Sequence, residues 1–341
     1  MTPATQETPA NVLVRQMLTG KWVSASISVV AELGIADLLA QGDKTADELA
    51  AAVSAHGPSL YRLLRALASF GVFAETEDRR FTLTPLAECL RSNVPNSVRE
   101  FARFIAIPAA SRSWDHLMHS VKTGETGLRK AFGVKNAFDY LRTHPEEAAI
   151  FDGAMTDNSR FSAPAVAEAY DFGKFRQLVD IAGGHGLLLA TILERFPRLE
   201  GVLFDLPEVI AGAKSTLAPY GLENRCKIIG GDFFQSVPEG ADAYLLKHII
   251  HDWDDERALA ILRNIRKAIQ PSGRLLIVEV LIAPGNEPSF GKLLDLEMLV
   301  IPGGRERTSD EYRDLFAGAG FRLAEIHRTS APTSIIEGVP V

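Results

Sequence analysis

The chain has 341 residues, 46% apolar and 23% charged, a composition that can build a substantial core and excludes overall disorder. Lys and Arg number 36 against 43 Asp and Glu, a formal net charge of −7, so no broad attraction to nucleic acid or to anionic membrane is expected. Two cysteines, Cys89 and Cys226, exclude a disulfide scaffold and a Cys-rich zinc site. The start lacks a basic flank and an apolar run, and no stretch nears the ~18 unbroken apolar residues of a spanning helix. A cytoplasmic protein is expected.

Residues 1–10 are polar and rich in Pro and Thr, and are expected to fray. From residue 11 to about 95 the pattern is helical and amphipathic. Leu60, Leu63, Leu64 and Leu67 recur at i, i+3, i+4 and i+7 and so share one helix face. Asp43 or Thr45 stands where a cap is needed for the helix that runs through Asp47 and Glu48. Residues 72–75 and 81–84 flank a charged turn and predict a small hairpin. Helices followed by a short hairpin outline a winged helix, which invites a DNA-binding reading. Charge opposes it: residues 45–90 carry four arginines against six carboxylates, a net −2, the wrong sign for tracking phosphates. A winged-helix-like packing or dimerisation module is expected over residues 1–105.

Residues 106–170 read as mostly helical with scattered aromatics. Beyond them, strands predicted at 177–182, 201–205, 226–229, 243–248 and 273–281 alternate with helices, among them 187–196 and 255–269. Such alternation implies crossover units and a mainly parallel sheet, so the expected fold class is α/β, with a Rossmann-like domain over residues 106–341. Ligands of these sheets bind outside the carboxyl ends of the strands, at the switch point.

Ala182-Gly183-Gly184-His185-Gly186 joins the first of these strands to its helix. Glycine allows a tight turn and a close approach of ligand to the peptide plane. Asp205 ends the next strand, where a carboxylate can accept both hydroxyls of a ribose. Together these features fit any adenosine cofactor. The dinucleotide fingerprint G-x-G-x-x-G fails, because Leu189 stands where the third glycine is required, which disfavours a nicotinamide enzyme. After the third strand, Asp232 and Phe233 could bond an adenine amino group and cover its face. The plain alternative is a solvated loop aspartate beside a core phenylalanine.

Five ordered motifs span the chain: 179–186 (VDIAGGHG), 204–207 (FDLP), 231–234 (GDFF), 246–253 (LKHIIHDW) and 302–308 (PGGRERT). In this order the sequence resembles the S-adenosylmethionine-dependent O-methyltransferases of the plant caffeate/acetylserotonin type, in their bacterial secondary-metabolite branch. The resemblance implies a methyltransferase sheet and an N-terminal dimerisation domain, hence a homodimer. It implies that Gly183, Gly184 and Gly186 border the amino-acid end of the cofactor, with Asp205 on the ribose. By the same resemblance Asp232 and Phe233 hold the adenine, Lys247 approaches from the fourth strand, and Trp253 flanks the adenine. Ala182 departs from the family's first loop glycine, and His185 from its small polar residue.

A sulfonium methyl needs no activation of the electrophile, whereas a phenol of pKa about 10 is mostly protonated at neutral pH. A base against that hydroxyl is the required chemistry, and a neutral imidazole at His251, between a strand end and a helix start, is the candidate. Glu279 finishes an otherwise apolar strand, an expensive position for a carboxylate without a partner. The resemblance implies that Glu279 and Glu306 flank and orient His251. His248 and His251 form an H-x-x-H pair, but no third ligand cluster is visible in sequence, so no metal is expected. The resemblance also carries Trp114, Phe151, Met155, Met298 and Leu299 over as acceptor-site walls, suited to a flat aromatic ring. The expected activity is methylation of a hydroxyl on a small aromatic metabolite, releasing S-adenosylhomocysteine. One alternative keeps the cofactor but shifts to hydroxylation or decarboxylation; the intact His251, Glu279 and Glu306 weigh against it.

Overall fold

The computed structural model describes residues 8–341, so most of the expected frayed tail lies outside the described residues. The chain forms two compact units, one made of residues up to Pro108 with Pro145–Asp157, the other of Ala109–His144 with Asn158–Val341.

In the first unit the helix Ala10–Glu32 is followed by the helices Ala46–Ala52 and Gly57–Ala68 and by three short strands, β1 (Lys44–Thr45), β2 (Phe73–Glu75) and β3 (Arg80–Leu83). The strands pair antiparallel in the order β1-β3-β2, so the predicted hairpin forms and gains a third strand. Thr45 supplies the cap. Its hydroxyl accepts from the Glu48 amide at 3.2 Å while Glu48 accepts from the Thr45 amide at 2.7 Å, a reciprocal box that satisfies two otherwise orphan donors. Leu60, Leu64 and Leu67 are buried in one core with Val30, Phe73 and Phe81, and Leu63 packs at its margin. Arg80 pairs with Glu48 at 2.9 Å on the partly exposed surface. On the helix Ala10–Glu32, Met17, Leu18 and Trp22 are each at least 71% exposed, and a groove of about 750 Å³ is lined by Val23, Ile27, Phe70, Phe101 and Ile105 among others.

The second unit holds a seven-stranded sheet: β4 (Gln177–Ile181), β5 (Glu200–Asp205), β6 (Cys226–Gly230), β7 (Ala243–Lys247), β8 (Arg274–Glu279), β9 (Phe321–Arg328) and β10 (Ser334–Pro340). The order is β6-β5-β4-β7-β8-β10-β9, with the first five strands parallel and β10 antiparallel to both neighbours. Alternate residues feed two cores: Leu178, Leu203, Leu245 and Leu276 enter one, and Val179, Val202, Leu246 and Ile277 the other. Burial on both faces explains why these strands read as continuous apolar runs. The order reverses at β4, which puts the switch point between the ends of β4 and β7. The sequence reading gave five strands; β9 and β10 complete the sheet. No helix among the described residues is long and apolar enough to cross a membrane.

Candidate active site

Past Ile181 the chain turns through residues 182–186 into the helix Leu187–Arg195. The turn uses left-handed backbone three times, at Ala182 (φ 54°), Gly184 (φ 59°) and Gly186 (φ 83°). At Gly184 no atom lies within 4 Å of where a Cβ would project, so its peptide faces open space. At Gly183 a Cβ would meet Asp180 Oδ2 at 2.5 Å, so the loop folds back on its own strand. Asp205, at the end of β5, accepts from the Gly184 amide at 2.8 Å through one oxygen and from the Leu206 amide at 2.7 Å through the other. Each oxygen keeps a second lone pair, so a diol can still be received. Burial pushes this carboxyl up, against the pull of those two amides and of His185.

At the end of β6, Asp232 accepts from the Phe234 amide at 2.8 Å and thereby fixes its turn. Phe233 and Phe234 present edges to Trp253, with ring centroids 6.2 and 4.9 Å away, and Phe138 stacks over the same indole at 6.0 Å. Lys247, ending β7, donates to Ser159 at 3.3 Å, and burial lowers its ammonium to about 8 against the pull of Glu279 and Asp180. All the residues assigned to the cofactor in sequence thus lie at the carboxyl ends of β4, β5, β6 and β7 or in the segments that follow them.

The strand β8 ends in Glu279, fully buried. One of its oxygens accepts from three successive amides, Ile249 at 3.1 Å, Ile250 at 3.0 Å and His251 at 3.4 Å. That nest pins the turn after β7 onto the end of β8. From the turn, His251 Nδ1 meets Glu306 Oε1 at 2.6 Å and Glu279 Oε2 at 3.3 Å, while its Nε2 lies 3.6 Å from Asp252 Oδ1. Burial opposes the charged imidazole, but Glu279, Asp252 and Glu306 together outweigh it and push His251 up to about 10. The same burial raises Glu306 and lifts Asp252 to about 7, with His251 pulling both back. The neutral imidazole expected from sequence is thus opposed by three carboxylates that favour the charged ring. His248 is the converse case, lowered to about 4 by burial and by Lys247.

One correction concerns ligands: no third donor was counted beside the H-x-x-H pair, yet Glu279 reaches His248 Nδ1 at 3.4 Å as well as His251. The sequence reading placed Glu279 beside His251 as an orienting carboxylate and did not count it as a ligand.

The loop carrying Glu306 is fitted tightly to the His251 turn. At Gly304 a Cβ would sit 1.9 Å from the His251 carbonyl oxygen, and the Arg305 amide donates to that oxygen at 2.8 Å. Asp295 accepts from the Glu306 amide at 2.9 Å. Arg307, with no exposed surface, donates into the same turn. Asp180, Asp252, Asp295 and Arg307 were missed in sequence. The signal for Asp180 was present: an acid inside an apolar strand, the argument that singled out Glu279. It is buried with one oxygen unpartnered, and burial and Asp205 raise it to about 7 against Lys247.

The acceptor-wall residues divide between the units. Phe151 and Met155 belong to the first, where Phe151 meets Phe104 at 5.7 Å; Trp114, Met298 and Leu299 belong to the second. Trp114 donates its indole N–H to Glu297, and the Met298 carbonyl accepts from the Gly303 amide at 2.8 Å.

Residues 114–322 match the O-methyltransferase domain model and residues 15–93 the O-methyltransferase dimerisation domain model. The sequence is 46% identical to the phenazine O-methyltransferase PhzM of Lysobacter antibioticus, over 98% of this chain and 97% of that protein. Human N-acetylserotonin methyltransferase, solved with S-adenosylmethionine, superimposes with a TM-score of 0.90 at 29% identity, covering 98% of this chain and 99% of that one. An O-methyltransferase from neocarzinostatin biosynthesis, solved with S-adenosylmethionine and 2-hydroxy-5-methyl naphthoic acid, gives 0.81 at 32% identity, covering 94% and 96%.

Proposed function

The chain belongs to the O-methyltransferase family, and on that premise we propose that it methylates a hydroxyl of a small aromatic metabolite with His251 as general base. The observation that carries the reading is the 2.6 Å contact between Glu306 and His251 Nδ1, which leaves Nε2 as the nitrogen free to face an acceptor. The glycine turn fits an adenosine cofactor, since Gly184 faces open space and Asp205 retains acceptor capacity on both oxygens. Gly183, Gly184, Gly186, Asp205, Asp232, Phe233, Lys247 and Trp253 would hold S-adenosylmethionine. When bound, that cofactor supplies a methyl on a sulfonium whose neutral thioether leaves readily.

His251 takes the hydroxyl proton at Nε2 as the oxygen is alkylated. Glu306 and Glu279 stabilise the resulting imidazolium and fix the ring's orientation. Because Glu279, Asp252 and Glu306 favour the charged ring, His251 has to be neutral before it can act as base, and a cation bound alongside favours the neutral form. Base catalysis of this kind contributes about 10²–10⁴-fold. No metal is required: the leaving group needs none, and a cation on His248, His251 and Glu279 would compete with the Glu306 bond. The exposed apolar residues of Ala10–Glu32 and the dimerisation domain support a homodimer, and the acidic charge supports neither nucleic acid nor membrane as partner. Two unpaired cysteines suit a reducing cytoplasm.

The test offers isotopically methyl-labelled S-adenosylmethionine with a panel of hydroxylated phenazines, naphthoates and simple phenols, beside calorimetry with S-adenosylmethionine and NAD. Label in an aryl ether and binding of the sulfonium cofactor alone are expected. Conversion of an acceptor without label transfer would favour the diverged chemistry instead.

A further inference from the structure

Arg307 has no exposed surface, yet it carries an obligate charge. Its Nη1 donates to the Ile250 carbonyl at 3.1 Å and to the Arg305 carbonyl at 3.3 Å, and its Nη2 donates to the Trp253 carbonyl at 2.9 Å. Nε and Nη2 both reach Asp255 Oδ1, at 3.1 and 2.7 Å. Ile250 immediately precedes His251, and Trp253 and Asp255 follow it within one helical entry. The guanidinium therefore grips His251's turn on both sides of the residue, from a position next in chain to Glu306.

We propose that Arg307 is a positioning residue for methyl transfer: it clamps the 250–255 turn to the 305–307 loop and so sets the Glu306–His251 bond. This inference rests on the base role of His251. The two partners of that bond lie on separate loops, 55 residues apart in sequence, and backbone contacts alone give them one direct tie, the Arg305 amide on the His251 carbonyl. A bond of 2.6 Å tolerates little drift of either loop. Arginine suits the task because a planar fork addresses several fixed carbonyls at once, whereas a lysine ammonium presents one point. Asp255 balances the charge from the partly exposed side of the clamp.

The experiment compares Arg307→Lys, Arg307→Gln and the wild type by steady-state methyl transfer, by calorimetry with S-adenosylhomocysteine, and by the downfield proton NMR signal of His251 Nδ1. That signal is assigned by its disappearance in His251→Ala. Both Arg307 variants are expected to lose roughly 10²-fold in kcat, the scale of an ångström misplacement, with cofactor affinity nearly unchanged. The Nδ1 proton should move upfield or vanish, and added guanidinium should restore part of both signal and turnover to Arg307→Gln. If the Arg307 variants fail to fold, Asp255→Ala decides, since its side chain is 56% exposed. It should shift the Nδ1 signal and lower kcat, and an unchanged signal with full turnover would overturn the clamp. An inactive His251→Ala beside a fully active Arg307→Lys with an unmoved signal would also overturn it, leaving the base role intact. Full activity in His251→Ala would instead remove the base role itself.

Discussion

At the scale of single residues, the carboxylates packed around His251 carry a signed consequence, since Glu279, Asp252 and Glu306 raise the imidazole's pKa against burial. Below its pKa the ring holds a proton and cannot take another, so kcat should rise with pH through neutrality. A pH-independent kcat between about pH 6 and 9, with chemistry rate-limiting, would contradict the base assignment. Glu279 was legible because an acid closing an apolar strand must have a partner. Glu306 came from resemblance, since its relation to His251 depends on contact across 55 residues of chain. The raised imidazole was not legible, because Glu279 and Glu306 reach it from segments distant in sequence. Ala182 offers a second test at this scale. Its left-handed backbone costs an L-residue about 1–2 kcal/mol, whereas glycine there would lose about 0.4–1 kcal/mol through the freer unfolded chain. Ala182→Gly should therefore raise Tm by about 1–3 °C in thermal denaturation, and a fall in Tm would show that the methyl packs favourably.

Among elements, the parallel strands were readable because burial on both faces makes them unbroken apolar runs. The last two were not. In β9, Leu323 and Ile326 both pack against the same core although they stand three apart, which a regular strand forbids. A bulge between the pairs at Glu337 and Gly338 skips Ala324 and brings both to one face, erasing the period-two signal. The loop before the helix Ser309–Gly318 shows the opposite economy, with a short glycine motif fitted against the His251 turn. Adding one methyl at Gly304 would force the His251 carbonyl away from a 1.9 Å contact. Gly304→Ala is expected to cost roughly 10²-fold in kcat while circular dichroism stays native, and normal turnover would show that the turn adapts without moving His251.

For the whole molecule, composition and net charge were read directly and weighed against a nucleic-acid partner, while the O-methyltransferase family came from the ordered motifs. The helical N-terminal region carries a dimerisation domain, and its long first helix leaves Met17, Leu18 and Trp22 uncovered. Large apolar side chains in such a row are costly to leave in water. Paired substitutions Met17→Glu and Trp22→Glu should convert a dimer to a monomer in sedimentation velocity; an unshifted coefficient would move the interface elsewhere.

In the proposed reaction one imidazole, held by two glutamates, removes the acceptor's proton as the methyl moves. The decisive measurement is single-turnover methyl transfer by His251→Ala, with cofactor and acceptor both saturating. A rate about 10²–10⁴-fold below wild type with cofactor binding intact is expected; transfer at the wild-type rate would show that another group takes the proton.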